Sequence, residues 1–271
     1  MTMSDAATGV VTEEPAVRVE LDDGVAIVTI DRPTSLNALS EEVLSALESA
    51  FTRLAGERGL RGALLVGAGG RAFVAGADIR GLASLEPGPA ADLARLGHRV
   101  AAAIEALPAP VIACVDGFAL GGGLEMALAC DLIYATDASA FGQPEVRLGL
   151  IPGFGGTVRL PRAVGAARAK ELIYTGRRIG TEEAVALGLV ARRFADRDSL
   201  LAGARATIDE IAANSPTAVA IAKHVLVAAA GTPTEVASAL EVQGFEDAFQ
   251  TDDMREGVSA FLEKREPRFG R

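Results

Sequence analysis

The stretch Ala109–Thr136, APVIACVDGFALGGGLEMALACDLIYAT, decides the fold class. Its opening, APVIACVDG, is a short apolar run bounded by Pro110 and Gly117 and reads as a buried strand. Three consecutive glycines, Gly121–Gly123, then start a helix, and DLIYAT is a further strand. One residue in the helix is out of place. Glu125 has Leu124, Met126, Ala127, Leu128 and Ala129 as neighbours, which offer it no polar face. A carboxyl buried there needs a purpose that offsets its desolvation.

Working outward, VRVELDDGVAIVTI (Val17–Ile30) alternates on both sides of Asp22-Asp23-Gly24 and reads as a β-hairpin. Ser40, followed by Glu41 and Glu42, opens a helix with Val43, Leu44, Leu47, Phe51 and Leu54 at helical spacing. GALLVGAGG is a short buried strand running into a glycine loop. LARLGHRVAAAIEAL is a helix stopped by Pro108 and Pro110. Alternating strands and helices over the first two thirds indicate an α/β layered domain. After Gly153 the segments are mostly helical, and a final helix beginning near Asp252 carries Met254, Val258, Phe261 and Leu262 on one face. The expected organisation is a disordered start (1–16), an α/β core (17–205) and an α-helical region suited to packing against another subunit (206–271).

With 271 residues the chain can bury about three quarters of its unfolded surface without disulfide or metal staples. Its net charge of -10 lacks the basic footprint of a nucleic-acid binder. The N-terminus has no basic cluster followed by an apolar run, and no run reaches the roughly 18 apolar residues of a membrane span. The expectation is a cytoplasmic protein with no nucleic-acid or membrane partner. Cys114 and Cys130 lie in apolar runs and read as buried free thiols.

The candidate chemistries narrow quickly. Gly67–Ile79 and Gly149–Thr157 are glycine-rich, but neither is in register with G-x-G-x-x-G or ends in G-K-S/T. His98 and His224 have no carboxylate spacing of a metal site, so no metal is expected. No G-x-S-x-G is present to mark a nucleophile. Carboxylates remain: Glu125, and Glu145 in FGQPEVRLGLIPGFGG. For an isolated glutamate a solvated or ion-paired role is the ordinary reading; Glu125 fits it poorly.

AFVAGADI, GFALGGGLEMALACDLIYA and FGQPEVRLGLIPGFGGTVRLPRAVG together resemble the signatures of the crotonase superfamily, most nearly its enoyl-CoA hydratases. IDRPTSLNALS is similar to the family's N-terminal segment and FEDAFQTDDMREGVSAFLEKREPRF to its last helix. The resemblance implies a spiral of ββα repeats followed by a helical trimerisation region, assembly as a trimer or hexamer, and an acyl-CoA substrate with no separate cofactor. It implies that the backbone N–H groups of Ala77 and Gly122 bind the thioester oxygen, where enolate charge develops. It implies that Glu125 and Glu145 grip one water, Glu125 orienting it for attack at C3 and Glu145 exchanging a proton with C2. Ala75, Asp78, Ile79 and Arg80 match the CoA-binding loop. The resemblance also implies that Gly121 is a substrate- or CoA-binding position and that Gly153 borders the acyl group. Phe245 and Lys264 match residues that cover CoA, in a neighbouring subunit or the same one. Thr34 stands where the family commonly has a basic residue, which removes one CoA contact. The expected activity is enoyl-CoA hydration in fatty-acid or amino-acid breakdown. An isomerase or specialised hydratase of the same superfamily is the alternative, and a non-catalytic CoA-binding scaffold is the alternative of another class.

Overall fold

Asp23 and Gly24, with φ of 46° and 73°, close a two-residue turn between β1 (Val17–Asp22) and β2 (Val25–Ile30). Left-handed turn residues match the right-handed twist of the paired strands, so the hairpin forms where Asp-Gly directs it. The computed structural model describes residues 15–270; most of the expected disordered start lies outside the described residues.

From β2 the sheet continues in parallel through β3 (Gly62–Gly67), β5 (Val111–Val115), β7 (Leu132–Thr136) and β10 (Arg192–Phe194). Strands covered on both faces must be apolar throughout rather than alternating. GALLVG and VIACV are accordingly buried at every position. A second sheet has the order β4 (Ala72–Val74), β6 (Phe118–Leu120), β8 (Ala140–Gly142) and β9 (Arg178–Gly180), the first three parallel and the last antiparallel. Each of three chain turns thus lends one strand to the large sheet and the next, shorter one to the small sheet: β3 then β4, β5 then β6, β7 then β8. Helices follow each pair: α2 (Ile79–Leu82) and α3 (Pro87–Glu105), then α4 (Gly122–Ala129), then α5 (Gly156–Val164). This is the expected spiral of ββα repeats.

The first helix, α1 (Glu41–Leu54), is capped by Ser40, whose Oγ accepts the Val43 N–H at 3.3 Å. It buries all five apolar positions marked by its periodicity and packs on α3. Beyond α6 (Ala166–Thr175) and α7 (Thr181–Ala186), α8 (Arg197–Ala212) runs unbroken through residue 205. It covers β3, β5, β7 and β10, with Leu200 and Ile208 meeting Leu64, Ile112 and Tyr134. The sheet-packed part of the chain therefore extends to Ala212. Both cysteines are buried and free, and burial pushes the Cys114 thiol up to about 12, which makes it unreactive.

The tail consists of α9 (Pro216–Ala229), α10 (Thr234–Phe249) and α11 (Asp252–Glu263). One buried lysine fastens it to the core. Lys223 donates from Nζ to Ile104 O at 3.2 Å, Ala109 O at 3.0 Å and Asp131 Oδ2 at 2.7 Å. The apolar face of the tail is not covered within the chain: Phe245 is 68%, Leu262 74% and Phe261 83% exposed. No single helix among the described residues is long and apolar enough to cross a membrane.

Candidate active site

Because β4, β6 and β8 are parallel neighbours, their C-terminal ends share one edge, where parallel α/β layers commonly seat a ligand. The segments leaving that edge are Ala75–Asp78, Gly121–Gly122 and Gln143–Glu145. Eight of the twelve residues singled out from sequence lie on or beside it: Ala75, Ala77, Asp78, Gly121, Gly122, Glu125, Glu145 and Gly153.

Residues 36–39 brace the first segment. Ala75 N donates to Leu36 O at 3.1 Å, Leu39 N to Gly76 O at 2.9 Å and Asp78 N to Leu39 O at 2.9 Å. The Ala77 N–H falls between these bonds and has no acceptor among the described residues. Gly121 adopts φ 50° and donates its N–H to Gly142 O at 2.9 Å. That turn delivers Gly122 as the first residue of α4, where an N–H has no intrahelical acceptor. Gly123 lies so close to the end of β4 that a Cβ would collide with Val74 O. Two N–H groups without an acceptor among the described residues, Ala77 on the segment braced by residues 36–39 and Gly122 in the glycine run, thus stand on neighbouring strand ends.

Glu125, one turn into α4, is 1% exposed. Its Oε1 accepts the Phe154 N–H at 2.8 Å and the Gly156 N–H at 2.6 Å. The carboxylate therefore sits at the N-terminus of α5 as well as in the first turn of α4, a favourable place for negative charge. Burial pushes its pKa up, while those N–H groups and the Arg159 charge oppose the rise. Oε1 is committed to the backbone, which leaves Oε2 for a ligand.

Glu145 opens a short 3-10 turn, Glu145–Leu148, and is half-buried. Its Oε1 lies 2.9 Å from where a Gly121 Cβ would stand. With the Gln143 amide oriented to suit its surroundings, its nitrogen donates to Glu145 at 2.8 Å and 3.1 Å. Burial lifts the Glu145 pKa to about 7; the neighbouring Glu125 charge adds to the rise and the residue's own backbone N–H opposes it. The two carboxyls thus differ in kind: one is strapped by backbone donors, the other exchanges its proton near neutral pH. Beside two free N–H groups, that pair can stabilise charge on a carbonyl oxygen and move a proton next to it.

The remaining residues are placed as follows. Asp78 caps α2 by accepting the Arg80 N–H at 3.1 Å and faces Arg32 at 3.8 Å. Ile79 and Arg80 are exposed at the rim, as is Thr34 in the turn Pro33–Ser35. No atom lies within 4 Å of a Cβ built on Gly153, so that position faces open space. Phe245 and Lys264 belong to the tail, and no hydrogen bond among the described residues links either to this edge. Sequence reasoning passed over Gln143, the Phe154 and Gly156 N–H groups, and the Phe154 ring, which packs on Gly122 and on Gly97 of α3. Only the missing Cβ at Gly97 and Gly122 hinted at the ring.

A cleft of about 540 Å³ opens beside the edge between α1, α2 and α3, lined by Leu39, Leu82, Leu85, Leu93 and Leu96 together with the charged Glu41, Asp78, Asp92, Arg95 and Arg99. Leu39 connects it to the edge, since a Cβ on Gly122 would stand 3.2 Å from the Leu39 side chain. A larger cavity of about 700 Å³ lies at the opposite end of the main sheet, between the Asp23-Gly24 turn and the α8–α9 junction, and contains neither Glu125 nor Glu145.

The profile of the Enoyl-CoA hydratase/isomerase family matches residues 20–271. A short-chain-enoyl-CoA hydratase of Clostridium acetobutylicum is 39% identical over 249 residues, covering 92% of this chain and 95% of that one. A crotonyl-CoA hydratase of Syntrophomonas wolfei is 39% identical over 251 residues, covering 93% and 96%. The solved enoyl-CoA hydratase of Bacillus anthracis superposes with a TM-score of 0.88 at 37% identity, covering 94% of this chain and 98% of that one.

Proposed function

The chain belongs to the enoyl-CoA hydratase/isomerase family, and from that premise we propose that it is a hydro-lyase adding water to a 2-trans-enoyl-CoA to give the 3-hydroxyacyl-CoA. The thioester oxygen is received by the Ala77 and Gly122 N–H groups, whose hydrogen bonds strengthen as the oxygen takes up enolate charge. Glu125 holds the attacking water through Oε2. Glu145 carries the proton: the water oxygen bonds to C3, C2 gains a hydrogen on the same face, and the carboxyl ends as it began. The reverse reaction uses the same groups, Glu145 then acting as base at C2. The leucine-lined cleft receives the acyl group, while Asp78, Arg80 and the nearby Arg32 form the rim on the CoA side.

The carrying observation is the pair of dissimilar carboxyls on one edge. Moving a double bond requires one group that shuttles a proton, whereas adding water requires a second to hold the water. Glu125, strapped by two N–H groups, is suited to that second task. The uncovered apolar face of α10 and α11 supports assembly with further copies of the chain, in line with a trimeric or hexameric enzyme, and such a neighbour would bring Phe245 and Lys264 to bound CoA.

Purified protein incubated with crotonyl-CoA tests the proposal. The conjugated-thioester absorbance is expected to decay, and Glu125→Gln and Glu145→Gln are each expected to lose about a hundredfold or more in kcat. Double-bond migration without hydration in 3-enoyl-CoA would favour the isomerase reading. Binding without turnover of any 2-enoyl-CoA would favour the scaffold.

A further inference from the structure

The loop Gly153–Gly156 lies between two charged groups. Its N–H groups at Phe154 and Gly156 face Glu125. On its other side Arg159, in α5, donates from Nη1 to Phe154 O at 3.2 Å. The guanidinium also lies over Gly155, where φ is 116° and a Cβ would collide with Nη1. The same guanidinium forms two parallel bonds with Glu105 at the end of α3, Nε to Oε1 at 2.6 Å and Nη2 to Oε2 at 2.9 Å. Both side chains are mostly buried, at 14% and 25% exposure. The preceding residue, Ile104, accepts Lys223 from the tail.

We propose that Arg159 and Glu105 are a positioning pair for hydration: Arg159, anchored by Glu105, fixes the loop whose N–H groups orient Glu125. The fork is what suits arginine to this place. It satisfies a bidentate carboxylate and a carbonyl together, which a single ammonium cannot do with the same geometry. Without it the Phe154 carbonyl loses its donor, and the peptide groups that strap Glu125 lose their support from behind. Neither side chain touches the reacting atoms; their effect on turnover rests on the hydratase reading, but their effect on Glu125 does not.

Arg159 also lends Glu125 a favourable charge. Other ionisable groups around Glu125 are Glu145 from the turn after β8 and His98, an exposed side chain of α3 lying against Gly155. Strands β4 and β6 carry no charged residue, and α4 carries none besides Glu125.

The test follows the Glu125 carboxyl by 13C NMR in the ligand-free protein, in a His98→Gln background, with the resonance assigned by its loss in Glu125→Gln. Arg159→Met is expected to raise the Glu125 midpoint, since a favourable neighbouring charge is lost. Glu105→Gln is expected to lower it, because the arginine charge is no longer offset. Loosened packing alone would not move the two in opposite directions. With crotonyl-CoA, Arg159→Met is expected to lower kcat about tenfold with KM within about twofold. Arg159→Lys, which keeps the charge without the fork, is expected to raise the midpoint less than Arg159→Met does, because the straps loosen while the charge stays, and still to lose kcat; it and Glu105→Gln serve if Arg159→Met fails to fold. Unchanged midpoints, or midpoints that shift together, would overturn the pair. So would a rise in KM at unchanged kcat. If wild-type protein does not hydrate crotonyl-CoA but the midpoints move as stated, the pair stands and the hydratase assignment falls.

Discussion

Replacing Glu145 by glutamine is expected to make the protein more stable and nearly inactive, and the gain in stability has a defined pH dependence. Burial and the Glu125 charge lift the folded-state pKa of Glu145 from 4.5 to about 7. Below about pH 4.5 the group is protonated in both folded and unfolded chains and costs nothing. Between 4.5 and 7 the folded chain holds a proton that the unfolded chain has released, so stability falls as pH rises. Above 7 the full penalty remains. At about 1.36 kcal/mol per pH unit the displacement amounts to at most about 3.4 kcal/mol. Glu145 is only half-buried, and solvent screening reduces this to about 1–2 kcal/mol. The glutamine variant lacks the penalty. Its thermal midpoint, at matched protein concentration, should equal that of wild type near pH 4 and exceed it by about 2–6 °C at pH 8. A gap that is the same at both pH values, or a variant less stable at pH 8, would refute the assignment of a strained acid at this position.

Three further outcomes are expected. Lys223→Met, read by urea denaturation, should cost about 1–3 kcal/mol, because the Ala109 carbonyl loses its Nζ donor while Asp131 keeps the Val111 N–H and Ile104 O keeps the Leu107 N–H. Gly123→Ala should cost about 3 kcal/mol by thermal melting and also lower kcat, since β4 must shift to clear the new methyl, whereas Gly153→Ala, which faces open space, should leave the midpoint within about 1 °C. Charging the tail with Phe245→Asp and Phe261→Asp should reduce the particle mass measured by light scattering if that face joins copies of the chain; an unchanged mass would remove the tail from the interface.

The large sheet was legible from sequence because strands buried on both faces need continuous apolar runs, and GALLVG and VIACV supply them. The small sheet was not. Ala72–Val74, Phe118–Leu120 and Ala140–Gly142 have three residues each, too few to display a period; the first reads as part of a glycine-rich stretch and the other two carry no strand signal. Glu125 stood out because an apolar helix gave it no solvent face. Its straps did not, because they are backbone N–H groups, which any residue but proline would supply. The Arg159–Glu105 pair, 54 positions apart, and the Lys223–Asp131 pair, 92 apart, join segments that only the folded spiral brings together. In the tail, the apolar stripe of α11 and its outward direction, suited to packing against another subunit, were both legible. Periodicity identifies a face, and the single chain leaves that face to solvent.

The stacking of β4, β6 and β8 has a mechanical corollary. The three segments at their common edge are far apart along the chain, yet one ligand lying across them touches all three turns of the spiral. Occupancy therefore acts as a non-covalent cross-link between turns that otherwise hold together by strand pairing and side-chain packing. Slowed amide exchange on ligand binding would then spread through every turn instead of staying with the loop that makes the contact.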